Sequence, residues 1–306
     1  MAEPLRPLLT RLTLLGGAEE ATAGTAEIVS SALAATAVYE SRIQPGNVYE
    51  GGQRSPGLTH MDSLKSVATQ LLGTLSFRLD ITPGDKTIQL MSGCGYVITG
   101  TAAALTSSQS AMKTWTFKQY ENGRYKQLYG CSGDFTISLE VGKVASVQYD
   151  FSGIWGADAA GAMPSNPTLT TLPYVCKAMT LTLGGATLPR ASKCTIRGGV
   201  EIVPLVSFTG TEGIAYYTVV GRNPQITIDT EARLTSDLDT YGLLTTPTEA
   251  AFSAVLTRGA NTFTIAAPKA QRVMVTDGDR NGVRLDEITL DCNASSGNDS
   301  LSFTEA

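Results

Sequence analysis

The sequence predicts a mainly β chain: two tandem antiparallel β-sandwich or barrel domains, each with one short helix. Three observations carry that expectation. Several segments alternate apolar and polar residues with period 2, tight turn pairs join them into hairpins, and the second half repeats the order of the first.

In order along the chain, Leu75-Ser-Phe77-Arg-Leu79-Asp-Ile81 alternates, as do Phe135-Thr-Ile137-Ser-Leu139-Glu-Val141 and Val147-Gln-Tyr149-Asp-Phe151. Each reads as a strand with one buried and one wet face. Lys86 to Cys94 reads as a short helix. Asn122-Gly123 lies between Trp115–Tyr120 and Arg124–Tyr129, a strong hairpin signal. Gly142-Lys143 joins the next two strands in the same way. Arg42 to Asp62 holds Pro45-Gly46, Gly51-Gly52 and Pro56-Gly57 without a clean period, so it reads as an irregular extended arm. Residues 157–173, rich in Ala, Gly, Pro, Ser and Thr, read as a connection. The expected division is therefore a first domain at 1–160, a linker at 161–173 and a second domain at 174–306.

The second half supplies echoes. Ser76–Asp80 is matched by Pro224–Asp229, Ile137-Ser-Leu-Glu140 by Ile288-Thr-Leu-Asp291, and the strand ending at Phe151 by Leu301-Ser-Phe303. The short helix near Ile88 is matched by one expected over Leu234 to Leu244, with Leu234, Leu238 and Tyr241 at helical spacing. Four matches in one order argue for a duplicated unit.

Composition narrows the chemistry. The 306 residues are 42% hydrophobic and only 17% charged, so a core is available and much of the surface is suited to contact with partners. Lys plus Arg number 23 against 28 Asp plus Glu, a net charge of −5, which excludes a generally basic nucleic-acid-binding surface. His60 is the single histidine, so a His-rich metal site is excluded and a Ser-His-Asp set has no choice of base. Cys94, Cys131, Cys176, Cys194 and Cys292 are odd in number and never form C-x-x-C, which fits reduced thiols and assembly in a cytosol. No apolar run reaches the ~20 residues of a membrane span, so no membrane insertion is expected.

The polar positions of the long strands are mostly small and polar, with more carboxylates than bases: Ser76, Arg78 and Asp80; Thr136, Ser138 and Glu140; Ser146, Gln148, Asp150 and Ser152; Gln225, Thr227, Asp229 and Glu231; Glu287, Thr289 and Asp291; Ser300, Ser302 and Thr304. One reading is an ordinary solvated sheet surface. The other is that sheets from several copies join edge to edge into a cylinder with this face inward. Such closure removes open sheet edges and presents a wall that repels phosphate.

Several segments, taken in order, resemble the tail tube proteins of long-tailed bacteriophages (the major tail protein family). They are Gly17-Ala-Glu-Glu-x-x-x-Gly-Thr25, the strand expected near Ala32 to Glu40, the Pro-Gly arm, and Leu75-Ser-Phe-Arg-Leu-Asp80. Gly130 to Gly153, with Gly133-Asp-Phe-Thr-Ile-Ser-Leu-Glu140 and Tyr149-Asp-Phe-Ser-Gly153, resembles the family's most recognisable hairpin, and Leu181–Ala186, Gly221–Pro224 and Gly278–Gly282 its later turns. The resemblance implies tube domains that self-assemble into stacked rings around a DNA channel, usually six domains and 24 strands to a ring. A duplicated chain then needs three copies per ring, or six if the second unit is decoration. Asp80, Glu140, Asp150, Asp229, Glu231 and Asp291 would line the lumen. Leu12 and Leu14, on a strand expected over Leu8–Leu14, and Tyr49, Arg54 and Met61 on the arm would make inter-subunit or inter-ring contacts. Implied partners are further copies, tail tip and tail terminator proteins at the ends, and tape measure protein and phage DNA passing through the lumen. The implied place is the virion tail, assembled in the host cytoplasm. The resemblance implies no catalysis and no cofactor.

The rival readings are a β-sandwich adhesin or capsid decoration protein that binds a receptor or glycan, and a carbohydrate-active enzyme using two strand carboxylates. Asp277-Gly-Asp279-Arg-Asn281-Gly282 has part of the spacing of a Ca²⁺ loop but Ile288 at the twelfth position, and reads better as a tight turn. Trp115 and Trp155 read as core or subunit contact, not as a sugar platform.

Overall fold

The computed structural model describes residues 13–29, 38–50, 67–84, 87–121, 123–162, 164, 172–177, 179–188, 190–234, 240–245 and 248–306. The strands of the first half are β1 (Thr13–Glu19), β2 (Val38–Glu50), β3 (Val67–Asp80), β4 (Tyr96–Thr99), β5 (Ala102–Leu105), β6 (Trp115–Glu121), β7 (Arg124–Glu140) and β8 (Ser146–Ala160). Those of the second are β9 (Thr180–Leu183), β10 (Ala186–Thr187), β11 (Lys193–Arg197), β12 (Val200–Val206), β13 (Ile214–Arg222), β14 (Gln225–Glu231), β15 (Glu249–Arg258), β16 (Asn261–Arg280), β17 (Val283–Asn293) and β18 (Ser302–Glu305). Two short helices, α1 (Thr87–Leu90, continued by a 3-10 turn over Met91–Cys94) and α2 (Gly242–Thr245), complete the described elements. The chain is mainly β and antiparallel, as its periodicity predicts.

The predicted strands are present and longer than the alternation alone indicated. Ile81, predicted as the end of a strand, lies just past β3; Val141 lies just past β7. The β6–β7 hairpin closes Glu121 against Arg124 around Gly123, which takes φ of 95°. In the β16–β17 hairpin Arg280 faces Val283, so Asn281 and Gly282, both at positive φ, form a two-residue turn. That is what becomes of the calcium-like spacing: Arg284 binds Asp277 at 2.8 Å, and Gly282 N–H donates to Asp279 at 3.3 Å.

Two runs of strands pack their apolar faces together. One runs β2-β3-β8-β7-β11-β14-β17-β16. The other runs β4-β5-β18-β16-β15-β9-β10, so the 20-residue β16 belongs to both. Phe303 of β18 meets Tyr96 of β4 and Phe135 of β7, each at 5.6 Å between ring centroids, and Phe263 of β16 at 6.3 Å. Phe77, Tyr149, Phe151 and Phe117 extend this aromatic layer, and both tryptophans join it, Trp115 buried and Trp155 partly so.

Four expectations need correction. Neither half closes a barrel; the arrangement is an open, sandwich-like pair of layers. Residues 42–50 are not an irregular arm but part of β2, paired with β3 so that Pro45 faces Gly73 and Glu50 faces Val67. An edge strand has no ladder bond to lose at a proline, so Pro45 is tolerated there. Residues 157–160 finish β8 opposite Arg124–Gln127 and do not begin a linker. The helix expected over 234–244 contributes Gly242–Thr245; Leu234 lies outside it and 235–239 lie outside the described residues.

The strand order β6-β7-β8-β3 recurs as β15-β16-β17-β14, with α1 and α2 each inserted after the first-formed strand of its set. In that correspondence β17 matches β8. The sequence echo between Ile137–Glu140 and Ile288–Asp291 therefore sets β7 against β17, one strand out of step. The two halves also share one sheet, through β7–β11, and one continuous apolar core.

Candidate functional site: an eight-stranded polar face

The wet positions predicted strand by strand fall on one continuous surface. Residues directly opposite in a ladder point to the same side, so the registers trace rows across the sheet. Asp80, Ser146, Ser138, Thr195, Thr227, Thr289 and Met274 form one row. Arg78, Gln148, Thr136, Arg197, Gln225 and Asp291 form the next, and Glu140, Lys193, Asp229, Glu287 and Thr276 a third. Asp80, Glu140, Asp150, Asp229, Glu231 and Asp291 thus share this face, although they come from both halves of the chain.

Local chemistry holds several of them. The Tyr39 hydroxyl donates to Asp80 at 3.1 Å, with the Arg78 guanidinium 5.4 Å from the Tyr39 ring centroid. Burial, then the Asp80 charge, raises the Tyr39 phenol pKa. Lys143 binds Glu140 at 2.8 Å, Arg190 binds Glu231 at 3.2 Å, and Gln225 donates to Asp291 at 2.8 Å. Asp229 accepts from Ser192 at 2.6 Å and lies 3.6 Å from Arg280.

Sequence reasoning missed two groups on this face. The first is β11, five residues whose Lys193 and Arg197 are exposed in the middle of the acidic surface. Lys193 has Glu140 on one flanking strand and Asp229 on the other, beside a shallow recess of about 240 Å³. The only signal was a brief alternation, with Cys194 and Ile196 buried between polar neighbours. The second is Asp134, directly opposite Asp150. Burial raises its carboxyl pKa, the backbone N–H groups of Phe135 and Val200 oppose that, Asp150 adds to it and Arg197 opposes it.

The face ends in two open edges among the described residues. From Gln44 to Glu50, β2 has β3 on one side and no strand on the other; nearer its start the Gln119 amide occupies that side, donating to Ser41 O at 2.9 Å and accepting from Ile43 N–H at 2.8 Å. From Val273 to Arg280, β16 has only β17.

Of the expected contact residues, Leu14 lies in β1 opposite Tyr120 and is partly buried, and Tyr49 lies in β2 opposite Ala68. Leu12, Arg54, Met61 and His60 lie outside the described residues, as do most of the Leu8–Leu14 and Ala32–Glu40 segments. No helix among the described residues is long and apolar enough to cross a membrane. No protein-family model and no curated protein matches the chain.

Proposed function

We propose that the chain is a structural subunit of a phage-type tail tube. In this reading three copies close a ring by pairing β2 of each with β16 of the next, the seam giving up one ladder bond at Pro45, and stacked rings form a conduit with the acidic face inward. The single observation that carries the reading is the eight-stranded polar face with its two offset open edges.

The geometry of that face can be tested against closure. Eight antiparallel strands leave β2 and β16 running in opposite directions, so β2 of one copy would meet β16 of the next antiparallel. Three times eight strands is 24. Gly46, near the middle of one open edge, aligns with Leu72, eight residues from Asp80. Thr276, near the middle of the other, traces back to Glu140, two residues beyond Ser138, which shares a row with Asp80. The edges are therefore offset by ten residues along the strands, about 33 Å, across eight strand spacings of ~4.8 Å, about 38 Å. Joining those midpoints gives a strand tilt of about 41°, inside the range that closed barrels adopt. A 24-stranded barrel with that tilt is about 48 Å across at the backbone, which side chains narrow to about 35–40 Å. Six copies would give 48 strands and a bore about twice as wide, so the strand count favours three.

The halves with their recurring strand order would act as two tube domains of one subunit. The partners follow from the reading: further copies around and along the tube, tip and terminator proteins at its ends, tape measure protein and DNA within it. The site of action would be the virion tail. The chain would catalyse nothing.

Negative-stain microscopy of the purified chain tests this directly. Three-fold rings or filaments are expected; a dispersed monomer overturns the reading and favours a receptor-binding module. The lining role is tested in assembled particles by changing Glu140, Asp150 and Asp291 together to Lys. Asp229 is left in place because its side chain is more buried than that of Glu140, 22% against 44% exposed, and both Ser192 and Arg280 engage it. Assembly is expected to persist and genome ejection to slow; unchanged ejection across a range of salt removes the lining role.

A further inference from the structure

Among the described residues, the β12–β13 hairpin lies outside the main sheet and pairs only with itself. Its tip, Ser207–Gly213, is a closed loop: Ser207 N–H donates to Gly213 O at 2.9 Å, and Gly213 N–H donates to Gly210 O at 3.0 Å. It is also anchored. Leu71 N–H, just beyond the end of the β3–β8 ladder, donates to Glu212 Oε2 at 2.9 Å, and Ser132 Oγ donates to Tyr217 O at 2.8 Å. On this fixed support Val206 is 82% exposed and Phe208 is wholly exposed. With Leu205, also exposed, these make three neighbouring uncovered apolar residues on a hydrogen-bonded loop, more than the single exposed side chain that a surface facing only water commonly shows.

A second apolar spot lies at the other end of the same strands. Val141 and Val144, on the β7–β8 turn, are 57% and 37% exposed. The turn sits beside Asp80 and Ile81, whereas the hairpin tip is anchored beside Leu72. Eight residues of β3, about 26 Å at ~3.3 Å per residue, separate the two ends. Charge differs between them in a complementary way: residues 201–221 carry Glu201 and Glu212 and no base, while Lys177 is exposed at the turn beside Lys143, which Glu140 engages.

We infer that the β12–β13 tip of one copy docks on the β7–β8 turn of a second copy stacked along the strand direction. Two different patches at opposite ends make a head-to-tail contact, which cannot close on itself within a pair and so propagates as a filament. In the proposed tube this is the contact between rings, distinct from the β2–β16 pairing within a ring; the inference rests on that reading for its setting. It assigns ring stacking to a segment other than the N-terminal strand and the 42–62 arm.

The experiment uses the full chain and scores rings and filaments separately by microscopy and sedimentation. Phe208→Asp is expected to leave rings intact and to shorten filaments at least tenfold. Val144→Asp, on the opposite surface, is expected to do the same. Phe208→Cys combined with Val144→Cys is expected to give an oxidised ladder of linked subunits; the five native cysteines are buried and do not compete. Filaments unaffected by Phe208→Asp overturn the inference and leave the tube reading standing, as does a Phe208→Cys chain that links to itself, which means tip against tip. Wild-type protein that forms neither rings nor filaments overturns both.

Discussion

Replacing Glu20 should expose how the N-terminal strap supports the base of the β12–β13 hairpin. Glu20 is 2% exposed and its carboxylate accepts four hydrogen bonds: Thr114 Oγ1 at 2.5 Å, Thr116 Oγ1 at 2.8 Å, Gly130 N–H at 2.6 Å and Gly24 N–H at 2.8 Å. It thereby ties the end of β1 to β6, to β7 and to the loop that passes under β13. A Cβ on Gly24 would lie 2.1 Å from Ala215 O, and one on Gly130 would lie 3.1 Å from Tyr216 Cβ, so neither backbone can shift to find another acceptor. In Glu20→Ala the threonine hydroxyls can turn, but the buried Gly130 N–H and the partly buried Gly24 N–H lose a charged acceptor at about 1–3 kcal/mol each, for a loss of about 4 kcal/mol. Glu20→Gln keeps one acceptor oxygen and is expected to lose about 2 kcal/mol. With an unfolding entropy of about 2.1 cal/mol/K per residue over 306 residues, Tm should fall by about 6 °C and about 3 °C respectively. Calorimetry reads both values. A fall below about 1 °C for Glu20→Ala would mean that the four bonds contribute no net stability and would refute the reasoning.

Two further outcomes follow from the shared core and the paired acids. Phe303→Ala empties the contact among Tyr96, Phe135 and Phe263 and should cost about 3–5 kcal/mol. Because that ring touches both halves, one cooperative transition should move; a melt with two transitions, of which only one shifts, would show independent domains. Asp134 has a raised folded-state pKa, so the folded state binds its proton more readily than the unfolded state. It therefore penalises folding above its folded pKa, and the penalty fades as pH falls toward the ordinary aspartate value near ~3.9. Asp134→Asn should remove that component, so that its stability gains less than the wild type's between neutral and mildly acid pH; identical pH profiles in chemical denaturation would count against the assignment.

What was legible in the sequence was what neighbouring residues decide. Period-2 alternation marked the last part of β3 and of β7 and the first part of β8, and Asn122-Gly123 marked a hairpin, because both signals act over a few residues. The placement of Asp80, Glu140, Asp150, Asp229, Glu231 and Asp291 on one face followed from the same alternation, since a residue's side of a sheet is set by parity. Long-range pairing was not legible. β11 has five residues and two small buried side chains' worth of pattern at most, and it becomes a strand because β7 and β14 supply partners on both sides. β2 carries Pro45-Gly46, which reads as a turn, yet an edge strand tolerates both. The echo between the halves was out of step because alternating strands of similar composition look alike at any even offset, and only the ladders show that β8 corresponds to β17.

The basic residues of β11 sharpen the electrostatic argument without reversing it. The face carries Asp80, Asp134, Glu140, Asp150, Asp229, Glu231, Glu287 and Asp291, eight acids, against Arg42, Arg78, Lys193, Arg197 and Arg280, five bases. Lys143 and Arg190, from flanking turns, bind Glu140 and Glu231, so the strands alone leave −3 per copy and the face with these two cations −1, or −3 per ring of three. Lys193 sits between two acids, and Arg197 is close enough to Asp134 to oppose its rise in pKa, so neither base of β11 stands alone as a resting place for a phosphate. At physiological salt the screening length is about 8 Å, shorter than the ~18–20 Å radius of the proposed bore. The lining would then act as a wall that prevents adhesion, not as a field that drives DNA along the axis. Changing Glu140, Asp150 and Asp291 to Lys adds six charges and turns −1 into +5 per copy. The resulting drag on ejection should be largest at low salt and should shrink steeply as ions screen the new contacts. Drag that does not vary with ionic strength would mean that the lysines obstruct by size, and the electrostatic account of the bore would fall.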